Sequence, residues 1–240
     1  LFRKQLFTKV NALFFETAQA LFSNSLAQPP ITEFNIKVNR MTIESKTIKE
    51  ADTKYELHDL ITSRWSPRAF SDKPIEDELM QEFFEAASWA PSSMNEQPWA
   101  YLYAHREDME NFERFVNCLA EANQVWAKDS AVLMVCLAKK NYDYKGRPND
   151  KAHHDLGMAN LQLVLQAQHR DVYGHMMGGF DKEKTIETFE IDTEVYDPVC
   201  FMALGYLGNP DQLNEKQRKG ETSERERKKL SEFVFKNELP

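Results

Sequence analysis

Cysteine, glycine, uninterrupted hydrophobic runs and surplus positive charge are all scarce in this 240-residue chain. The three cysteines, Cys118, Cys136 and Cys200, are widely separated and form no CxxC. That excludes a disulfide framework and zinc-finger spacing, and reads as buried thiols in a reducing compartment. Glycine occurs eight times, never as GxGxxG or ahead of a Lys-Ser/Thr pair, so neither a Rossmann fingerprint nor a P-loop is present. No apolar run approaches the roughly 20 residues of a membrane span. With 30 Lys and Arg against 38 Asp and Glu, the formal charge is −8, which disfavours nucleic acid or an anionic membrane as a general partner. What remains is 42% hydrophobic and 28% charged residues, the balance of a soluble globular protein with one sizeable core.

The first forty residues stand apart. Leu6, Val10, Leu13, Phe14, Leu21 and Phe22 recur at helical spacing behind Arg3, Lys4 and Lys9, but Asn11, Glu16, Thr17 and Gln19 interrupt them. A secretory leader fits that interrupted pattern poorly. Met41 opens a plausible natural start, so residues 1–40 are expected to be an extension outside a functional domain spanning 41–240.

Residues 55–61 carry helical spacing and lead into SRWSPRAF at 63–70. In extended backbone alternate residues share a face, and Pro67 favours extension at Ser66. Arg64, Ser66 and Arg68 therefore converge, two guanidinium groups and a hydroxyl suited to a phosphate; two solvated arginines on a loop are the other reading. Residues 75–90 form an amphipathic helix with Glu76, Asp77 and Glu78 in its first turn. Pro91 ends it, and Ala-Pro-Ser-Ser-Met-Asn-Glu-Gln-Pro-Trp at 90–99 follows, a loop of neutral hydrogen-bonding groups suited to a planar polar heterocycle. Residues 99–104 read as a strand, 107–128 as a helix, and the continuous apolar run 131–138 as a strand buried on both faces. His153-His154-Asp155 lacks metal-ligand spacing, and no metal is expected. The helix 156–168 is apolar nearly all round and should be central. Gly178 and Gly179 permit close backbone approach to a ligand. Residues 199–206 read as another buried strand. A polar stretch, 209–229, precedes LSEFVF at 230–235, whose alternation reads as a strand in need of a sheet, reaching across to a neighbouring subunit.

In this order, SRWSPRAF, APSSMNEQPW, the apolar helix from Asp155, GGFD at 178–181 and RER ahead of LSEFV at 225–234 resemble the nitroreductase family of FMN-dependent oxidoreductases, over roughly residues 55–236. The resemblance implies an α+β fold: a central, mainly antiparallel sheet flanked by helices in a cytoplasmic, domain-swapped homodimer with FMN at the subunit interface. It further implies that Arg64, Trp65, Ser66 and Arg68 bind FMN from one subunit, with Arg225 and Arg227 closing on the phosphate. Pro91, Ser92, Ser93 and Asn95 cover the flavin from the other subunit. Met177, Gly178 and Gly179 bring backbone to flavin N5, and Asn123 meets the pyrimidine edge. Gly178 and Trp126 stand where other members carry an acid and a lysine. The expected activity is hydride transfer from NAD(P)H through FMN to a nitroaromatic, quinone, flavin or enone acceptor by a ping-pong mechanism. No protein side chain is expected to be catalytic, because the cofactor carries the chemistry. The alternative is a non-catalytic flavin-binding dimer for FMN storage or redox sensing.

Overall fold

The computed structural model describes residues 42–239. The chain divides into two units between residues 37 and 38, and the expected extension, 1–40, lies outside the described residues. Four strands, β1 (Trp99–His105), β2 (Val132–Lys139), β3 (Val172–Met177) and β4 (Tyr196–Tyr206), form one sheet in the order β1-β2-β4-β3. Every neighbouring pair is antiparallel. The described helices are α1 (residues 42–49), α2 (Asp59–Ser63), α3 (Asp77–Ser88), α4 (Met109–Cys118), α5 (Glu121–Ala127), α6 (Ala152–His169), α7 (Lys182–Phe189) and α8 (Glu215–Thr222).

The continuous apolar run of β2 is explained by two cores, one on each face. Val132, Met134, Cys136 and Ala138 join Met202 and Leu204 of β4 beneath Met80 and Phe83 of α3 and Leu156, Leu163 and Val164 of α6. The intervening Leu133, Val135 and Leu137 join Phe201 and Ala203 against Phe112 and Phe115 of α4 and Trp126 of α5. Period-two alternation in a strand thus feeds both layers of an α/β/α sandwich. The helix expected around 75–90 is α3, with Asp77 and Glu78 in its first turn and the chain turning out at Trp89 before Pro91.

Two expectations need correction, and a third finds no partner within the single chain. The single helix expected over 107–128 is two, α4 and α5. The chain opens at Leu119, which is extended and bridges Phe180, while the Ala120 amide bonds the Gly179 carbonyl. The polar stretch 209–229 is not a bare linker; it contains α8, held by the Asn214 cap and a buried Glu221. Residues 230–235 form no strand in the single chain. Leu230–Glu232 is a 3-10 turn, and Leu230, Phe233, Val234 and Phe235 are exposed. A strand needs an edge to pair with, and this segment meets none of its own chain's.

Candidate functional site

The row at 64–68 forms as its alternation predicts. Trp65, Pro67 and Ala69 turn inward, while Arg64, Ser66 and Arg68 share the outward side. The backbone is fixed on several sides. The Glu221 carboxylate accepts the amides of Arg68 (3.2 Å) and Ala69 (3.3 Å). His175 of β3 donates from Nδ1 to the Pro67 carbonyl (2.8 Å), a carbonyl being only an acceptor. Downstream, Gly208 lets the two segments touch: its amide bonds the Ala69 carbonyl, and a Cβ there would stand 2.3 Å from the Phe70 oxygen. Trp65 does not join the outward row; its side chain is buried edge-on against Tyr173, with Lys49 above it.

Charge accumulates beside this row. Arg225 donates to the carbonyls of Thr62 and Arg64, which anchors the tail at the start of the row, and leaves its Nε buried without a partner. Burial, then the charge of Arg227, pulls the Arg64 guanidinium below its ordinary value. Burial, then Arg227 and Arg64, does the same to Arg225. Among the described residues no carboxylate forms an ion pair with these three arginines. Clustered cations without a counter-charge among the described residues make a site suited to an anion. Burial pushes Glu221 up from the usual carboxylate range, against the backbone donors of Ala69 and Arg68 and the charge of Lys49.

The glycine pair adjoins the same edge. Arg68 lies over the Trp126 ring (5.8 Å), which packs on His175 (4.5 Å between centroids). One turn earlier in α5, Asn123 donates to the Gly179 carbonyl (2.9 Å), and the Ala120 amide donates there too (3.1 Å). A Cβ on Gly179 would collide with the Asn123 amide at 2.9 Å, whereas one on Gly178 would meet nothing within 4 Å. Gly178 therefore presents bare backbone to open space. Met177 points into the core, and Trp126 is buried too, so their side chains support the site from behind.

The loop at 91–97 is held elsewhere. Asp155, buried in the first turn of α6, accepts the Ser93 amide (2.9 Å); Ser93 Oγ bonds the Tyr142 hydroxyl (3.0 Å), and Ser92 Oγ accepts the Gln97 amide (3.0 Å). Met94, Asn95 and Gln97 all adopt left-handed backbone, φ 56°, 56° and 54°. Such geometry persists only where the surroundings impose it. None of the hydrogen bonds of this loop reaches the arginine row. It precedes β1, at one edge of the sheet, while the row packs on β3, at the other, through Trp65 against Tyr173 and Pro67 against His175, before Phe70 bridges Leu207 just past β4. Three strand spacings, about 14 Å, separate those edges. The structure thus joins Arg64, Ser66, Arg68, Arg225 and Arg227 with Asn123, Gly178 and Gly179, and leaves Pro91, Ser92, Ser93 and Asn95 apart. Glu221, His175, Lys49, Asp155 and Tyr142, which hold these pieces, escaped the sequence reading. Asp155 ahead of an apolar helix was the one visible cue.

Among the described residues, no group of three or more His, Cys, Asp or Glu is placed to hold a metal. His153 and Lys182 both pair with Asp197. No helix among the described residues is long and apolar enough to cross a membrane.

Residues 61–206 match the model of the nitroreductase family. The chain belongs to that family. YdgI of Bacillus subtilis, an inferred NAD(P)H nitroreductase, is 30% identical over 166 residues, covering 55% of this chain and 78% of the relative. A solved oxidoreductase described as containing FMN is 31% identical with a TM-score of 0.74, covering 79% of this chain and 96% of its own. An inferred nitroreductase of Exiguobacterium sibiricum, solved with FMN, shares the fold at a TM-score of 0.56 and 22% identity, covering 65% of this chain and 90% of its own. The nitroreductase fold expected from the sequence, an antiparallel sheet between helices, is the one observed.

Proposed function

We propose that this nitroreductase-family protein is an FMN-dependent NAD(P)H oxidoreductase acting as a homodimer. The carrying observation is the cluster of Arg64, Arg225 and Arg227: burial first, then the neighbouring guanidinium charge, lowers Arg64 and Arg225, and none of the three pairs with a carboxylate among the described residues. A flavin phosphate, with close to two negative charges, satisfies that cluster. The residues fit the rest of the group as well: Gly178 leaves room for a ring against backbone, and Asn123 stands beside it. Bound there, FMN supplies two-electron hydride acceptance and donation between a nicotinamide and an acceptor.

The chain's own residues then have distinct tasks. Arg64 and Arg227 hold the phosphate end, with Ser66 as a neutral donor. Arg68, fixed through Glu221 and stacked over Trp126, is a preorganised cation for charge that develops on the pyrimidine side. The Gly178-Gly179 backbone sets the approach of the protein to the reacting edge. NAD(P)H and the electrophilic acceptor (nitroaromatic, quinone, flavin or enone in type) use one open face in turn, which gives ping-pong kinetics. Because the loop at 91–97 and the arginine row sit at opposite sheet edges, the loop of a second copy covers the site, and the exposed apolar segment 230–235 crosses to that copy.

Reconstitution of the purified protein with FMN, followed by steady-state kinetics with NADH or NADPH and a quinone, tests this reading. Parallel double-reciprocal lines and two FMN per dimer are expected. Intersecting lines would overturn the ping-pong order, and FMN uptake without turnover would favour storage or sensing.

A further inference from the structure

Two of the three cysteines, far apart in the chain, meet in the sheet. Cys136 of β2 and Cys200 of β4 are direct register partners, beside an irregularity where Leu137 pairs with Pro198 and skips Val199. Directly opposed residues of an antiparallel pair have Cα atoms about 4.5–5.5 Å apart, inside the range a disulfide spans. Both side chains lie on the face covered by α6. Cys136 is fully buried and Cys200 half-buried, and both are free thiols.

The surroundings treat the two sulfurs differently. In this apolar layer Asn160 of α6 is buried, an expensive choice unless its amide is satisfied. Its Oδ1 accepts the Tyr101 hydroxyl (3.0 Å), which fixes the amide's orientation, and its Nδ2 donates to Cys200 Sγ (3.6 Å). The adjoining Cys136 thiol first, with Asn160 second among the favourable neighbours, pulls Cys200 down against burial. The same pairing, with burial, pushes Cys136 up. Tyr101 is pushed far up by burial and remains a neutral donor. Donors that converge on one thiol of a pair favour its thiolate, the attacking form.

We propose that Cys136 and Cys200 are a reversible redox site, forming an intrachain, cross-strand disulfide when hydrogen peroxide oxidises Cys200. The Cys200 thiolate attacks a peroxide oxygen; the S–O bond forms as the O–O bond breaks, and the departing hydroxide takes up a proton to give water. Cys136 sulfur, losing its proton, then attacks the Cys200 sulfenic acid; the S–S bond forms, the S–O bond breaks, and the hydroxide leaves with that proton as a second water. Two thiols and one hydrogen peroxide yield one disulfide and two waters, and a dithiol reductant reverses the change.

The test treats the full-length native protein with hydrogen peroxide, then unfolds it in urea with N-ethylmaleimide present to block remaining thiols, since Cys118 and Cys136 are fully buried in the fold, and maps peptides by mass spectrometry. The expected product has lost two hydrogens, links the Cys136 and Cys200 peptides within one chain, carries the label on Cys118 alone, and returns to three labelled thiols after dithiothreitol. In Cys136→Ser, dimedone should trap a sulfenic acid at Cys200; in Cys200→Ser, neither adduct nor cross-link should form. Three labelled thiols after peroxide, a bridge through Cys118, a bridge between chains, or over-oxidation of Cys200 without a bridge in the unsubstituted protein would each overturn the proposal. The unsubstituted protein decides even where a variant folds poorly.

Discussion

Replacing Arg227 with alanine separates a ligand-binding cation from a structural one by the sign of its effects. Arg227 is exposed, its described hydrogen bond goes to the neighbouring Glu226 carbonyl, and its charge acts against Arg64 and Arg225. Alanine removes repulsion rather than a partner, so the stability of the FMN-free protein should move by no more than about 0.5 kcal/mol, the scale of exposed charge pairs. In the FMN complex the same guanidinium makes a charge-assisted hydrogen bond to phosphate, worth about 1.5–3 kcal/mol. At about 1.4 kcal/mol per tenfold, the dissociation constant rises about 10- to 150-fold. Quenching of FMN fluorescence, titrated at two salt concentrations, measures that change, and urea unfolding of the FMN-free protein measures the other. The variant's affinity should also fall less steeply with salt, because one screened attraction has been removed. FMN affinity within about twofold of the parent would refute the phosphate assignment. A loss of more than about 1 kcal/mol in the FMN-free protein would show that Arg227 holds the fold together instead.

Gly208→Ala should lower stability by about 1–3 kcal/mol in urea unfolding, since its Cβ would meet backbone that no rotamer change can clear; full stability would contradict the close approach of Gly208 to Phe70. His175, half-buried and hydrogen-bonded to Pro67, has its pKa lowered to about 4, with desolvation the largest cause and Arg68 and Arg64 adding to it. Between about pH 6.5 and 4 the unfolded chain binds the proton more readily, so about 3 kcal/mol of stability present above that window is lost as pH falls through it. Urea midpoints at pH 7 and pH 4.5 should therefore converge in His175→Gln, and an unchanged difference would count against the assignment. Mixing a chain carrying Arg64→Ala and Arg227→Ala with one carrying Ser92→Trp and Ser93→Trp should give heterodimers with one intact FMN site. Failure of the mixture to recover flavin would contradict a site shared between two copies.

The arginine row was legible because Pro67 imposes extension and alternation then follows from backbone geometry alone. The β2 strand was legible because a run apolar at every position has little choice but to be covered on both faces. The break between α4 and α5 was not, since it depends on Gly179 and Phe180 recruiting Ala120 and Leu119 from far along the chain. Strand β3 was missed because Gly174 interrupts its apolar signal. That glycine is there for packing: a Cβ would stand 2.7 Å from Val164. Glu221 looked like one more surface charge in a polar tail, and only the fold shows it accepting the amides that hold Arg68. The segment 230–235 carried a true alternation without an edge of its own chain to satisfy it.

The central claim is that this arginine-lined edge holds a working flavin, and anaerobic titration of the FMN-loaded protein with NADH and then NADPH tests it most directly. The account predicts that at least one of them bleaches the yellow absorbance stoichiometrically and that a quinone restores it. A protein that takes up no FMN, or one that stays yellow with both nucleotides, would contradict it.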